Sequence, residues 1–225
     1  MSAKELLTTR RAVLAGSGVL ALGGGAAAIF GAGGRAPVVA GTDTDNLVLK
    51  AGKTSAPLAG ENAEVPVWGY NGSVPGPEIR IRQGQAFEAM LDNGLDEETT
   101  IHWHGVRVPN AMDGVPHLTQ PPVEPRDSFR YAFTPQDAGT FWYHPHQRSF
   151  EQVGRGLYGP LIIEEADPPQ VDRDLVWMLD DWRLNDQGQI SGGFGSRHDA
   201  MMAGRIGNTI TINGKPAAPL IARPN

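Results

Sequence analysis

Cysteine is absent from all 225 residues, so no disulfide framework braces this chain and its stability must come from packing. Long unbroken apolar runs are missing as well. The one extended uncharged stretch, Ala12 to Gly34, is weakly apolar and broken by glycine, which is poor material for a membrane-spanning helix. Positive charge is scarce: 19 Lys and Arg face 25 Asp and Glu, a formal net charge of −6. That balance gives no electrostatic footprint for nucleic acid or an anionic membrane, and it would attract cations.

What is plentiful is glycine (29) and proline (18), with short apolar runs between them. That pattern predicts an all-β protein. Glu78 to Arg82 and Ser128 to Phe133 alternate apolar with polar residues, as half-buried strands do. Further strands are expected at Leu47–Lys50, Ala86–Leu91, Thr99–His104, Thr140–His144 and the fully apolar Leu161–Ile163, with a long proline-containing loop from Pro109 to Pro125. Strands about ten residues apart with turn residues between them indicate a sandwich or barrel. Asp167-Pro168-Pro169 marks a boundary. Beyond it a strand is expected at Leu175–Leu179, a short helix at His198–Gly204, and a strand at Thr209–Ile212 before an Asn213-Gly214 turn. Some sixty residues are too few for another sandwich, so this second unit reads as truncated.

The amino-terminal forty residues read differently. Arg10-Arg11 precede the uncharged stretch, and Val38-Val39-Ala40 offers the small residues that a signal peptidase reads. Residues 1–40 are therefore expected to be a twin-arginine export signal, excluded from the fold, leading to the periplasm or the outside of the cell. Its removal takes away Lys4, Arg10, Arg11, Arg35 and Glu5, leaving 15 basic against 24 acidic residues, a formal charge of −9.

Four of the six histidines form two pairs, His102-Trp103-His104 and His144-Pro145-His146. In a strand, residues i and i+2 leave the same face, roughly 6.5 Å apart. Two such strands side by side would aim four imidazoles into one space. Neutral imidazole suits copper and zinc, and all-nitrogen sites intrinsically favour Cu²⁺. Trp103 and Trp142 beside the ligands read as packing residues. His117 falls on the proline-containing loop, as a neighbour of the site or an exposed residue, and His198, Met201 and Met202 read as ordinary helix or core residues rather than a soft copper site.

The sequence around the histidines resembles the amino-terminal domain of multicopper oxidases of the laccase-like and copper-resistance type. The resemblance rests on Gly69-Tyr70-Asn71-Gly72-Ser73-Val74-Pro75-Gly76-Pro77, Thr99 to Gly105, Asp113-Gly114-Val115-Pro116, Thr119-Gln120-Pro121-Pro122, Thr140 to His146 and Gly156-Leu157-Tyr158-Gly159-Pro160. It runs from about Val65 to Glu165 and persists weakly at Trp177 to Trp182 and Asn213-Gly214. It implies a cupredoxin-like Greek-key β-barrel over residues 41–166, followed in 167–225 by a linker and an incomplete second cupredoxin domain. By position, His102 would bind the type 2 copper of a trinuclear cluster, His104 and His144 one type 3 copper, and His146 the other. Asp113 would sit as a proton relay, against the bland reading of a turn aspartate before Gly114. The partners implied are O₂ and a reducing substrate, a phenol or a metal ion.

One departure is plain. A type 1 copper needs a cysteine thiolate, and none is present. The chain is thus expected to be the amino-terminal portion of an oxidase, inactive alone, whose carboxy-terminal domain is missing. The other readings are a copper-free scaffold, which four retained histidines oppose, and an exported copper-binding module without redox turnover. Nitrite reductase would carry a cysteine in its first domain. A zinc hydrolase does not fit the surrounding words.

Overall fold

The computed structural model describes residues 38–40 (backbone only), 47–60 and 63–217. The expected export signal, apart from Val38–Ala40, lies outside the described residues. Twelve strands are described: β1 (Val38–Ala40), β2 (Leu47–Ala56), β3 (Val65–Tyr70), β4 (Glu78–Arg82), β5 (Phe87–Asn93), β6 (His102–His104), β7 (Ser128–Phe133), β8 (Gly139–His144), β9 (Gly159–Glu164), β10 (Leu179–Trp182), β11 (Thr209–Ile212) and β12 (Lys215–Pro216). Two short helices, α1 (Ser149–Gln152) and α2 (Arg197–Met201), complete the regular structure with 3₁₀ turns at Asn110–Met112 and Val153–Arg155.

One sheet runs β1-β4-β9-β8-β6 and a second β3-β2-β5-β7. Both mix parallel and antiparallel neighbours, with β2–β5 and β4–β9 parallel. Alternation explains which residues meet between them. Ile79 and Ile81 of β4, Phe87, Ala89 and Leu91 of β5, and Leu161 and Ile163 of β9 are all buried in one cluster. Trp103 sits at its centre, fully buried, edge-on to Phe87 at 5.3 Å and to Tyr131 at 5.5 Å, with Phe133 at 5.3 Å. The core is thus packed directly behind the strand that carries the first histidine pair. Val38–Ala40, where the export reading places peptidase cleavage, pairs in parallel with Glu78–Arg80.

A third sheet, β10-β11-β12, rests on a smaller cluster of Leu58, Val65, Val67, Tyr158, Trp182 and Leu184. Here three expectations change. The strand expected at Leu175–Leu179 starts only at Leu179, because Asn213 occupies the backbone before it. Its side chain accepts the Met178 N–H at 2.8 Å and donates to the Val176 carbonyl at 3.0 Å, in place of a ladder. The helix expected at His198–Gly204 is shorter and earlier. Ser196 caps it by accepting the Asp199 N–H at 3.1 Å, and Gly204 (φ +89°) turns the chain back. Strand β2 runs six residues past the expected Lys50, since its polar second half pairs with β3 from Ala51↔Tyr70 to Ala56↔Val65. Cross-strand pairing there overrides a weak hydrophobic pattern.

Truncation of the central indole, Trp103→Ala, should destabilise the fold by about 3–5 kcal/mol in urea unfolding. Asp180 provides a pH signature. Burial pushes its carboxyl from 3.8 up to about 6, and the nearby Tyr158 hydroxyl and Asp181 amide offset only part of that. The folded state therefore holds this proton more tightly than the unfolded one. Stability should fall as pH rises from about 4 to 6 and then level off, and Asp180→Asn should remove that slope in unfolding curves taken across the window.

Candidate metal centre

Strands β6 and β8 pair antiparallel with His102 opposite His144, Trp103 opposite Tyr143 and His104 opposite Trp142. The period of two then sorts the side chains. Trp103 and Tyr143 point inward and are fully buried, while His102, His104, Trp142 and His144 share the other face. His146 lies just beyond the end of β8, and its backbone N–H donates to the Thr100 hydroxyl at 3.1 Å.

Nitrogen atoms of His102, His104 and His144 lie within 4.8 Å of one another. The His146 ring joins them at 5.3 Å from His102 and 6.5 Å from His144, measured between centroids. His104 Nδ1 and His144 Nε2 are only 3.2 Å apart. Two nitrogens at that separation, each about 2.0–2.1 Å from a shared ion, subtend roughly 100°, close to tetrahedral.

The ring orientations are fixed from behind. His102 Nδ1 meets the Asp113 carbonyl at 2.7 Å and His144 Nδ1 meets the Pro145 carbonyl at 2.9 Å. A carbonyl only accepts, so each Nδ1 carries the proton and each Nε2 presents its lone pair to the site. Burial, with the three neighbouring imidazoles, holds His144 down at about 4, though the Pro145 carbonyl pulls the other way. It stays neutral, as a ligand must.

The 105–125 segment folds back along the free edge of β6. Gly114 (φ +76°) makes this possible, since a Cβ there would lie 1.8 Å from the Ile101 carbonyl oxygen. The close approach brings the Asp113 carbonyl onto His102 and leaves the Asp113 carboxylate 3.4 Å from the same Nδ1. Asp113 thus precedes a turn glycine and lies against His102. His117 is exposed, and His198, Met201 and Met202 are exposed on and after α2, all outside the donor group.

Three residues escaped the sequence reading. Trp142 was expected only to pack, yet it stacks on His144 at 4.0 Å and lies 4.9 Å from His104. The i, i+2 rule that pairs the histidines would have placed it on their face. Thr100 and Gln152 gave no such signal. Gln152 is fully buried. Its amide donates to the Glu97 carboxylate and the Glu98 carbonyl, both at 2.8 Å, and accepts from the Thr99 hydroxyl at 2.7 Å. It thereby fixes the segment from which Thr100 holds His146.

Comparison with known proteins gives these features a context. The multicopper oxidase family profile matches residues 51–168, just over half of the chain. Copper resistance protein A of Escherichia coli is 38% identical over 148 residues, covering 65% of this chain and 24% of that protein. Laccase-1 of Cryptococcus neoformans var. grubii is 35% identical over 145 residues, 61% of this chain and 23% of the relative. Among solved structures, a multi-copper oxidase from Pseudomonas thermotolerans superposes with a TM-score of 0.72 at 41% identity, over 81% of this chain and 42% of that one. Lac15 from a marine microbial metagenome gives 0.65 at 46% identity, over 74% and 42%. The chain spans about a quarter of the length of these curated relatives. Its two-sheet sandwich is the cupredoxin-like fold of such oxidases. With a matching profile over most of the histidine-bearing sandwich, the chain belongs to the multicopper oxidase family.

Proposed function

We propose that the chain is the amino-terminal portion of a copper-dependent oxidase that couples oxidation of a phenol or a metal ion to reduction of O₂ to water. Its four paired histidines are half the ligands of a trinuclear copper cluster. His102 serves the type 2 ion, His104 and His144 share one type 3 ion, and His146 serves the other. The observation that carries this reading is the 3.2 Å approach of His104 Nδ1 to His144 Nε2, two donors from different strands set for one ion. Bound copper supplies electron transfer to oxygen.

The protein's own part is positioning and proton supply. The Asp113 and Pro145 carbonyls hold two rings in the tautomer that binds metal. Each electron delivered to O₂ is matched by a proton, and in this reading the Asp113 carboxylate, 3.4 Å from His102 Nδ1, passes it. A type 1 copper needs a thiolate, and the 225 residues contain no cysteine, so that ligand comes from outside them.

The same reading takes residues 1–40 as a twin-arginine signal leading to the periplasm or beyond, 41–166 as the cluster-bearing domain and 167–225 as the start of a second cupredoxin unit. Among the described residues no helix is long and apolar enough to cross a membrane.

Copper titration of the purified chain, followed by paramagnetic resonance and calorimetry, should show saturable binding, weakened about 10–100-fold by His104→Ala. Binding unaffected by that change would remove the ligand assignment and leave a scaffold. The copper-loaded chain given a phenol should show no sustained uptake at an oxygen electrode; steady uptake would mean that it is a complete catalyst. In the complete oxidase, Asp113→Asn should lower oxygen consumption by about 100-fold with copper content unchanged. A parallel loss of copper would assign Asp113 to holding the site instead.

A further inference from the structure

Trp142 has two different neighbourhoods. Its indole is 4.0 Å from the His144 ring and 4.9 Å from the His104 ring, and those imidazoles are 5.4 Å from each other. The three distances put both histidines on one side of the indole. Trp142 also lines a cavity of about 390 Å³ together with Phe141, Tyr158, Trp177, Met178 and Asp180. That volume lies in the range that encloses small ligands.

The polar chemistry of the cavity is confined to few groups. Tyr158 is 3% exposed, and its buried hydroxyl lies beside the Asp180 carboxylate. Asp180 accepts the Asp181 N–H at 2.8 Å, and burial leaves its carboxyl ionised only above about 6. No lysine, arginine or histidine lines the cavity. Burying a carboxylate among aromatic rings is unfavourable unless a cation joins it. Aromatic faces carry negative quadrupole charge, so walls of Trp, Phe and Tyr around an acid suit an organic cation.

We propose that this cavity binds a small aromatic ammonium ion, its nitrogen at Asp180 and its ring against Trp142 and Trp177. The nitrogen supplies the missing positive charge. Neutral phenols lack the charge, and anions are repelled. The site needs no metal, so it stands or falls apart from the copper reading.

The test uses the full chain, treated with chelator and titrated by calorimetry and tryptophan fluorescence with 2-phenylethylammonium and with its neutral analogue 2-phenylethanol. The ammonium should bind saturably, at least about tenfold tighter than the alcohol. Asp180→Asn should abolish that preference. Trp177→Ala, at a position already 52% exposed, should weaken both ligands while leaving the circular dichroism spectrum and thermal midpoint in place. A smaller preference, no saturable binding, or a preference that survives Asp180→Asn overturns the proposal.

Discussion

The pairing of β6 with β8 is the contact on which the rest of the site depends. Its register, His102 opposite His144, does two things at once. It turns Trp103 and Tyr143 into the core, where they anchor both strands, and it leaves His102, His104 and His144 on the opposite face. A slip of one residue would exchange the two sets, burying imidazoles and exposing an indole. Burying an aromatic side chain contributes roughly 1.5–3 kcal/mol, so the core enforces the register that the site requires. Metal-site geometry is here a by-product of hydrophobic alternation.

Around that pair, support comes from backbone rather than from charge. Two carbonyls, from Asp113 and Pro145, set the tautomers of His102 and His144. The first is delivered by a loop that approaches β6 only because residue 114 has no side chain. The second belongs to the proline inside the second histidine pair. Gln152, buried in α1, ties down residues 97–99 and through them the Thr100 hydroxyl that holds His146. His146 falls outside the group whose nitrogens lie within 4.8 Å of one another, and it is also the one beyond the end of its strand. Strand ladders place side chains more tightly than the loops that follow them.

Trp142 links this centre to the cavity that reaches β10. Its stacking on His144 uses the same face as the histidines, and the cavity brings together a buried tyrosine hydroxyl, a carboxylate and a second indole from the segment before β10. The sandwich and the third sheet thus meet at a place with its own chemistry. The aromatic wall they share contains none of the copper-site imidazoles.

The sequence by itself determined the β-rich sandwich, the two histidine pairs and the shared face of His102 and His104, because alternation and i, i+2 spacing are properties of a strand that need no tertiary knowledge. Strands such as Glu78–Arg82 and Ser128–Phe133 were legible to the residue for the same reason. The polar half of β2 was not, since its pairing with β3 decides its state, and neither was the start of β10, where the Asn213 side chain replaces a ladder. Only the tertiary structure decided which nitrogen His102 offers, that Asp113 meets His102 through its carbonyl as well as its carboxylate, and that Gln152 belongs to the site. Those facts depend on contacts between segments 11 to 55 residues apart, whose distances no local pattern encodes.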